Sequence, residues 1–232
     1  MLSKKLLLLA GPTASGKSNL AIKLAKKLNG EIINADSMQV FKEFKILSSR
    51  PTSSQTRKVK HHLYGIISAK KHFSAGDWIK QAKKKIDSCI KRKKIPIVVG
   101  GTGLYFNTII KGITKIPEID YKTRNMVRNL YKKQGSKKFY NHLLKLDPKI
   151  KGRIHPTDTQ RLQRAYEVKL KTNKSLFDWF KNTKSEFTDF EISKIFIDIP
   201  REVLLKKISI RTDQMFKNRC VNEVKKFNNL KV

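Results

Sequence analysis

The sequence predicts an α/β fold, a parallel sheet core interrupted by a helical insertion. Three observations carry that expectation. The octapeptide Gly11-Pro12-Thr13-Ala14-Ser15-Gly16-Lys17-Ser18 is a complete G-x-x-x-x-G-K-[ST] phosphate-binding loop, set between an apolar run and a helical pattern. Short apolar runs followed by small or polar residues and then helical periodicity recur at residues 6–10, 31–35 and 95–99. From Gly112 to about Glu191 the strand signal stops and only helical patterns remain, until a last apolar strand returns at residues 194–199.

Residues 6–10 have the length and composition of a buried strand. Residues 17–28, with Leu20, Ala21, Leu24, Ala25 and Leu28 in register, form an amphipathic helix. Strand, glycine-rich turn and helix are the context in which backbone N–H groups converge on a phosphate. Lys17 brings a point charge to the terminal phosphate, and the Ser18 hydroxyl suits Mg²⁺. Such a loop recognises phosphate oxygens rather than a base, so it admits ATP-type nucleotides or another diphosphate. Residues 31–35 make a second strand that delivers Asp36-Ser37 at its carboxyl end. Residues 48–56, rich in Ser, Thr and Pro, read as a surface loop, and residues 61–68 hold a short strand. Ser74 and Asp77 give a capping-box start to a helix running to about Lys93. The third strand ends in Gly100-Gly101-Thr102-Gly103, and residues 104–110 continue as a helix. Residues 121–133, 136–146, 157–172 and 176–180 are the helices of the insertion. After the returning strand, Pro200 closes it, and residues 201–229 form a long basic helix interrupted near Asn218. The division is therefore residues 1–111 and 192–232 for a P-loop NTPase-like core, and residues 112–191 for the insertion.

Composition limits the partners. At 232 residues the chain can bury a substantial core. Lys and Arg number 52 against 18 Asp and Glu, a net charge of +34, which points to a polyanion such as RNA. The lysines are scattered rather than clustered, so a solvated, compositionally drifted surface is the competing reading. Cys89 and Cys220 have no metal-ligand or disulfide spacing, which suits a reducing cytoplasm. The opening Met-Leu-Ser-Lys-Lys and its leucine run imitate a signal peptide, but the apolar run is too short and leads into the phosphate loop. No stretch is long enough to span a membrane. His61-His62 suggests a metal pair, yet adjacent strand residues point to opposite faces. No metal beyond Mg²⁺ is expected, and Trp78 and Trp179 are read as packing groups.

In open parallel sheets, ligands bind outside the carboxyl ends of the strands. The phosphate loop, Ala35-Asp36-Ser37-Met38-Gln39 and Gly100-Gly101-Thr102-Gly103-Leu104-Tyr105 all fall there. Asp36 admits three readings: a carboxylate organising Mg²⁺ in a kinase or NTPase, a general base, or a helix N-cap. The motifs in this order resemble the tRNA dimethylallyltransferases. Further matches are Arg153 to Asp158, Gln160-Arg161-Leu162-Gln163-Arg164-Ala165-Tyr166-Glu167-Val168, and Arg211 to Met215 ahead of Glu223-Val224.

The resemblance implies transfer of a dimethylallyl group from its diphosphate to N6 of the adenosine 3′ of the anticodon, in tRNAs reading codons that begin with U. Lys17, the loop amides from Gly11 to Ser18 and Mg²⁺ on Ser18 would stabilise the leaving diphosphate, with Arg211 approaching it. Asp36 would take the amine proton, and Thr102 would assist or position the amine or a phosphate. The flipped adenine would lie against Asp36, Ser37, Met38 and Gln39. Arg124 and the segment Gln160, Arg161, Leu162, Gln163 and Arg164 would contact the anticodon stem-loop. Beside these stand structural readings: Gln160 as a capping-box partner of Thr157, Arg164 as a partner of Glu167, and Arg211 as an exposed cation. Family members continue past the position of Val232 through a helical segment with an Arg-Gln-x-Thr-Trp-type motif, which this sequence lacks. The remaining expectations are a monomer without membrane contact; a small P-loop kinase and an inactive RNA-binding relative are the alternatives.

Overall fold

The computed structural model describes residues 4–229, which fall into two units: the described residues up to Ile110 together with those from Glu186 onward, and Lys111–Ser185. The second boundary thus lies at residue 185/186, not 191. In the first unit, β1 (Lys4–Ala10) leads into α1 (Lys17–Lys27), β2 (Gly30–Asn34), α2 (Ser53–Lys58), β3 (His61–His62), α3 (Ala75–Lys91), β4 (Ile95–Gly100) and α4 (Gly103–Ile110). The second unit holds α5 (Tyr121–Leu146), a 3₁₀ turn at Pro148–Ile150, α6 (Thr159–Thr172) and α7 (Leu176–Phe180). The chain then returns through β5 (Phe190–Phe196), α8 (Arg201–Lys217) and α9 (Cys220–Asn228). No helix among the described residues is long and apolar enough to cross a membrane.

The sheet runs β3-β2-β4-β1-β5 and every pairing is parallel. Parallel strands with both faces covered need continuous rather than alternating hydrophobicity, which is why β1 reads Leu6-Leu7-Leu8-Leu9. Leu7, Leu9, Ile32, Ile97 and Val99 pack on Ala21, Ile22 and Ala25 of α1. The alternate residues Leu6, Leu8, Ile33 and Val98 are buried too, on the face that α3 covers with Trp78, Ile79, Ala82 and Ile86. Ser74 and Asp77 form the expected capping box on α3.

Two elements depart from expectation. The segment expected to be a loop contains α2, opened by a capping box in which Thr52 and Gln55 satisfy each other's backbone N–H. The last strand begins at Phe190 because it pairs with the full length of β1, Lys4 with Phe190 through Ala10 with Phe196. The long terminal helix is broken as expected: Asn218 caps α8, and Arg219, at φ 61°, starts α9.

The histidines separate as strand geometry requires. His62 Nε2 meets Glu31 Oε2 at 2.6 Å, whereas His61 Nδ1 contacts the Val59 carbonyl at 2.7 Å. Arg92 donates to the same Glu31 oxygen at 2.7 Å, and the Cys89 thiol lies 3.5 Å from it. Glu31, His62 and Cys89 are close enough for a shared ion, but the guanidinium already supplies the positive charge. Burial and Glu31 push the Cys89 thiol up to about 12, so it stays protonated. The cluster is a closed hydrogen-bond network. Both cysteines are free and buried.

In the second unit, α5 comprises two helices meeting at Gly135 (φ 70°, ψ 171°). Phe139, Leu143, Ile150, Leu162, Ala165 and Val168 form its fully buried centre.

Candidate active site

The loop after β1 is shaped for an anion. Ser15 N–H donates to the Pro12 carbonyl at 3.2 Å, and Gly16 occupies the N-cap of α1 at φ 84° without a side-chain cap. A side chain at Gly16 would meet nothing within 4 Å, so the positive φ, not space, selects glycine. Ala14 is also left-handed at φ 61°, a strained conformation of the kind found at ligand sites. The uncapped first turn leaves backbone N–H groups available to phosphate oxygens. Lys17 folds back over the loop, its Nζ 3.0 Å from the Pro12 carbonyl. The Ser15 hydroxyl is buried without a hydrogen-bond partner among the described residues. Ser18 is exposed on the first turn of α1.

Beside it, the ends of β2 and β4 are stitched together. A Cβ on Gly100 would lie 2.0 Å from the Ala35 carbonyl oxygen, so only glycine permits the approach. Ala35 N–H donates to the Val99 carbonyl and Thr102 N–H to that of Ala35. Asn34, fully buried, gives its amide to the carbonyls of Asp36 and Leu63 and accepts from Asp36 N–H. Trp78 donates its indole N–H to the Asn34 carbonyl and stacks on Tyr105 at 4.3 Å. Asp36 is thereby held rigidly. Its Oδ1 accepts from Met38 N–H at 2.9 Å in a short turn, and no helix starts there, which removes the N-cap reading.

Thr102 Oγ1 accepts from Ser37 N–H at 2.9 Å and donates to Ser37 Oγ at 3.3 Å. That hydroxyl ties the two strand ends together. Met38 is exposed, while Gln39 turns its amide onto the carbonyls of Ser48 and Ser49.

The phosphate loop, Asp36, Gln39 and Gly100 line one cavity of about 520 Å³, which α8 completes with Lys207, Arg211 and Gln214. Burial lowers the Lys17 pKa; the attraction of Asp36 opposes this and Arg211 adds to it. Burial also lowers that of Arg211, again opposed by Asp36. Arg211 has a buried Nε with no partner among the described residues, and it is no simple surface cation. Arg50, Tyr64 and Lys207 also line the cavity and were not singled out from the sequence. For Lys207 a signal existed, since it precedes Arg211 by one helical turn. Oxygen donors from Ser18 and Asp36 in this cavity suit a hard cation such as Mg²⁺.

The second unit places the remaining candidates. Asp158, not Thr157, caps α6, accepting from Arg161 N–H at 3.1 Å. The Thr157–Gln160 box therefore does not form, and Thr157 instead contacts His155. Arg161 pairs with Asp158 at 3.3 Å and remains 74% exposed; Arg164 pairs with Glu167 at 3.5 Å. Leu162 is fully buried in the helical core, so it cannot touch RNA with its side chain. Gln163 is half-buried, as is Arg124 on α5, whose Nε is buried and unpartnered among the described residues. Gln160, Arg161 and Arg164 rim a cleft of about 620 Å³ floored by Ile113, Ile116 and Phe177, with Arg153 over the Phe177 ring at 4.9 Å.

A family model described as IPP transferase matches residues 39–231. A tRNA dimethylallyltransferase of Pelagibacter ubique (strain HTCC1062) is 56% identical over 228 residues, covering 98% of this chain and 73% of that protein. The one from Rickettsia massiliae (strain Mtu5) is 43% identical over 95% of this chain and 61% of its own length. Among solved structures, a eukaryotic dimethylallyltransferase acting on tRNA matches with a TM-score of 0.83 at 30% identity, over 97% of this chain and 56% of that one. A tRNA isopentenylpyrophosphate transferase from Bacillus halodurans matches at 0.64 and 31% identity, over 97% and 70% respectively. The chain thus spans 61–73% of the length of the two curated relatives.

Proposed function

The chain belongs to the IPP transferase family of tRNA dimethylallyltransferases, and on that premise we propose that it prenylates tRNA. The dimethylallyl group passes from dimethylallyl diphosphate to N6 of the adenosine 3′ of the anticodon in tRNAs reading UNN codons. In the step, the allylic C–O bond breaks, the N6–C bond forms, and diphosphate leaves with the electron pair. The observation that supports this most is a single cavity in which a phosphate loop, Lys17 and Arg211 face the carboxylate of Asp36.

Each residue has a role consistent with its surroundings. Loop amides, Lys17 and Arg211 hold the diphosphate and stabilise the charge that develops as it leaves. Mg²⁺ on Ser18 would add charge neutralisation at the same oxygens. An exocyclic amine is a weak nucleophile, and Asp36 takes its proton as the bond forms. Asp36 Oδ1 is occupied by Met38 N–H, which leaves Oδ2 for this task. Thr102 acts through Ser37, keeping the strand ends in register. Ser37, Met38 and Gln39 border the adenine, which must leave its stack to arrive there. Arg124, Gln160, Arg161, Gln163 and Arg164 contact the stem-loop, and the enzyme acts as a cytoplasmic monomer. The family matches favour this reading over a kinase or an inactive RNA-binding relative.

Mass spectrometry of nucleosides tests it directly. An unmodified UNN-reading tRNA, incubated with the protein, Mg²⁺ and dimethylallyl diphosphate, is expected to yield adenosine heavier by one dimethylallyl group. Asp36→Ala should lower the rate by roughly 10²-fold or more. An unmodified adenosine from folded, tRNA-binding protein would sink the proposal.

A further inference from the structure

We propose that Arg50 is a further diphosphate-binding cation, held in position by Glu223 of α9. The inference rests on the diphosphate reading above and concerns residues to which that reading gives no role. Glu223 seats its carboxylate on three successive backbone N–H groups. Oε1 accepts from Lys45 at 3.0 Å and Ile46 at 2.8 Å, and Oε2 accepts from Ile46 and Leu47 at 3.0 Å each. Consecutive amides converging on one anion are a nest, and their hydrogen bonds are charge-assisted. The rings of Phe44 and Phe227 meet beside it at 5.0 Å.

The amides that Glu223 holds belong to the turn that sets Arg50. Arg50 N–H donates to the Lys45 carbonyl at 3.0 Å and Ser49 N–H to that of Ile46 at 2.9 Å. The Arg50 guanidinium then crosses Gly65, where a Cβ would come within 1.5 Å of Nη1, and Nη2 donates to the Lys42 carbonyl at 2.7 Å. Its Nε is buried and has no partner among the described residues. The side chain lines the cavity that holds Lys17, Ser18 and Arg211. A buried guanidinium N–H without an acceptor is costly unless an acceptor arrives with the ligand, and a phosphate oxygen matches that donor. Burial lowers the Arg50 pKa, and the attraction of Glu223 and of Glu43 opposes this. Glu223 is therefore a positioning residue.

Calorimetric binding of inorganic pyrophosphate to the full chain, with Mg²⁺ fixed, separates the possibilities. Arg50→Ala is expected to weaken pyrophosphate about tenfold, the loss of one charge-assisted contact. It should raise KM for the prenyl diphosphate more than it lowers kcat, and leave tRNA affinity unchanged. Arg50→Lys should fall between. Glu223→Ala should reproduce the loss, Glu223→Gln should recover part of it, and the double variant should be no worse than either single one. Wild-type pyrophosphate affinity in Arg50→Ala, or multiplied losses in the double variant, overturns the inference. The Arg50 variants leave the Glu223 contacts intact, so they decide the matter even if Glu223→Ala unfolds. Lys17-dependent pyrophosphate binding that ignores Arg50 would defeat this inference alone. A wild-type protein that neither binds pyrophosphate nor prenylates tRNA would defeat the function beneath it as well.

Discussion

Lys17 shows how a ligand site is built against stability. Its burial lowers the ammonium pKa from 10.5, with Arg211 acting in the same direction and Asp36 resisting. A depressed folded-state value means that the charged form is disfavoured by folding: the penalty is present at neutral pH and disappears only above the unfolded pKa. Lys17→Met should therefore raise the melting temperature of the ligand-free protein while abolishing diphosphate binding, which a thermal melt and calorimetry would check together. The same shift sets a pH limit. The alkaline fall of kcat/KM, which reports the free enzyme, should begin below the 10.5 of an ordinary lysine, and Lys17→Arg should push it upward. At this scale the sequence was most legible where chemistry and spacing are local, as in the phosphate loop and Asp36. It was least legible for Arg50, which sits in a Ser- and Pro-rich stretch and reaches the cavity only through a turn fixed from α9. Leu162 marks the opposite error, a side chain drawn into a contact motif although its helix turns it to the core.

Among the elements, the junction of β2 with β4 bears most directly on the proposed chemistry, because it carries both Asp36 and Thr102. Gly100→Ala would place a methyl group 2.0 Å from the Ala35 carbonyl oxygen, its three nearest atoms all being Ala35 backbone rather than a flexible side chain that could move aside. A loss of about 3 kcal/mol is expected from this overpacking, readable as a lower urea midpoint, together with a fall in activity beyond the stability loss. Gly103→Ala, with nothing within 4 Å of the added carbon, is the matched control and should change stability by less than about 0.5 kcal/mol. Strands and long helices could be read from periodicity, and Gly135 and Asn218 marked real breaks. What failed was composition used without pattern. Thr52 and Gln55 carry a capping-box spacing that outweighs the Ser/Thr/Pro content around it. The start of β5 was hidden because pairing to β1, not its own hydrophobicity, decides where that edge strand begins.

For the whole molecule, a net charge of +34 makes salt the first variable of any RNA measurement. The logarithm of tRNA affinity should fall linearly with that of salt concentration, as phosphate contacts release counterions. Arg161→Ala and Arg164→Ala should each shallow the slope by about 1. Leu162→Ala should leave the slope alone and lower stability by about 3 kcal/mol, since it empties part of the helical core. Filter binding across a salt series and a denaturation curve would check the three variants. The two units can be followed separately because each holds one of the two tryptophans. Trp78 is fully buried, stacked on Tyr105 and bonded to the carbonyl of Asn34, two residues before Asp36. Trp179 is half-buried beneath Lys174, with its indole N–H on Thr172. Their fluorescence should differ accordingly, with Trp78 emitting to the blue of Trp179. The molecule thus contains two intrinsic optical probes, one bonded two residues before Asp36 and one in the helical unit, and no dye is needed to test which responds to diphosphate and which to RNA.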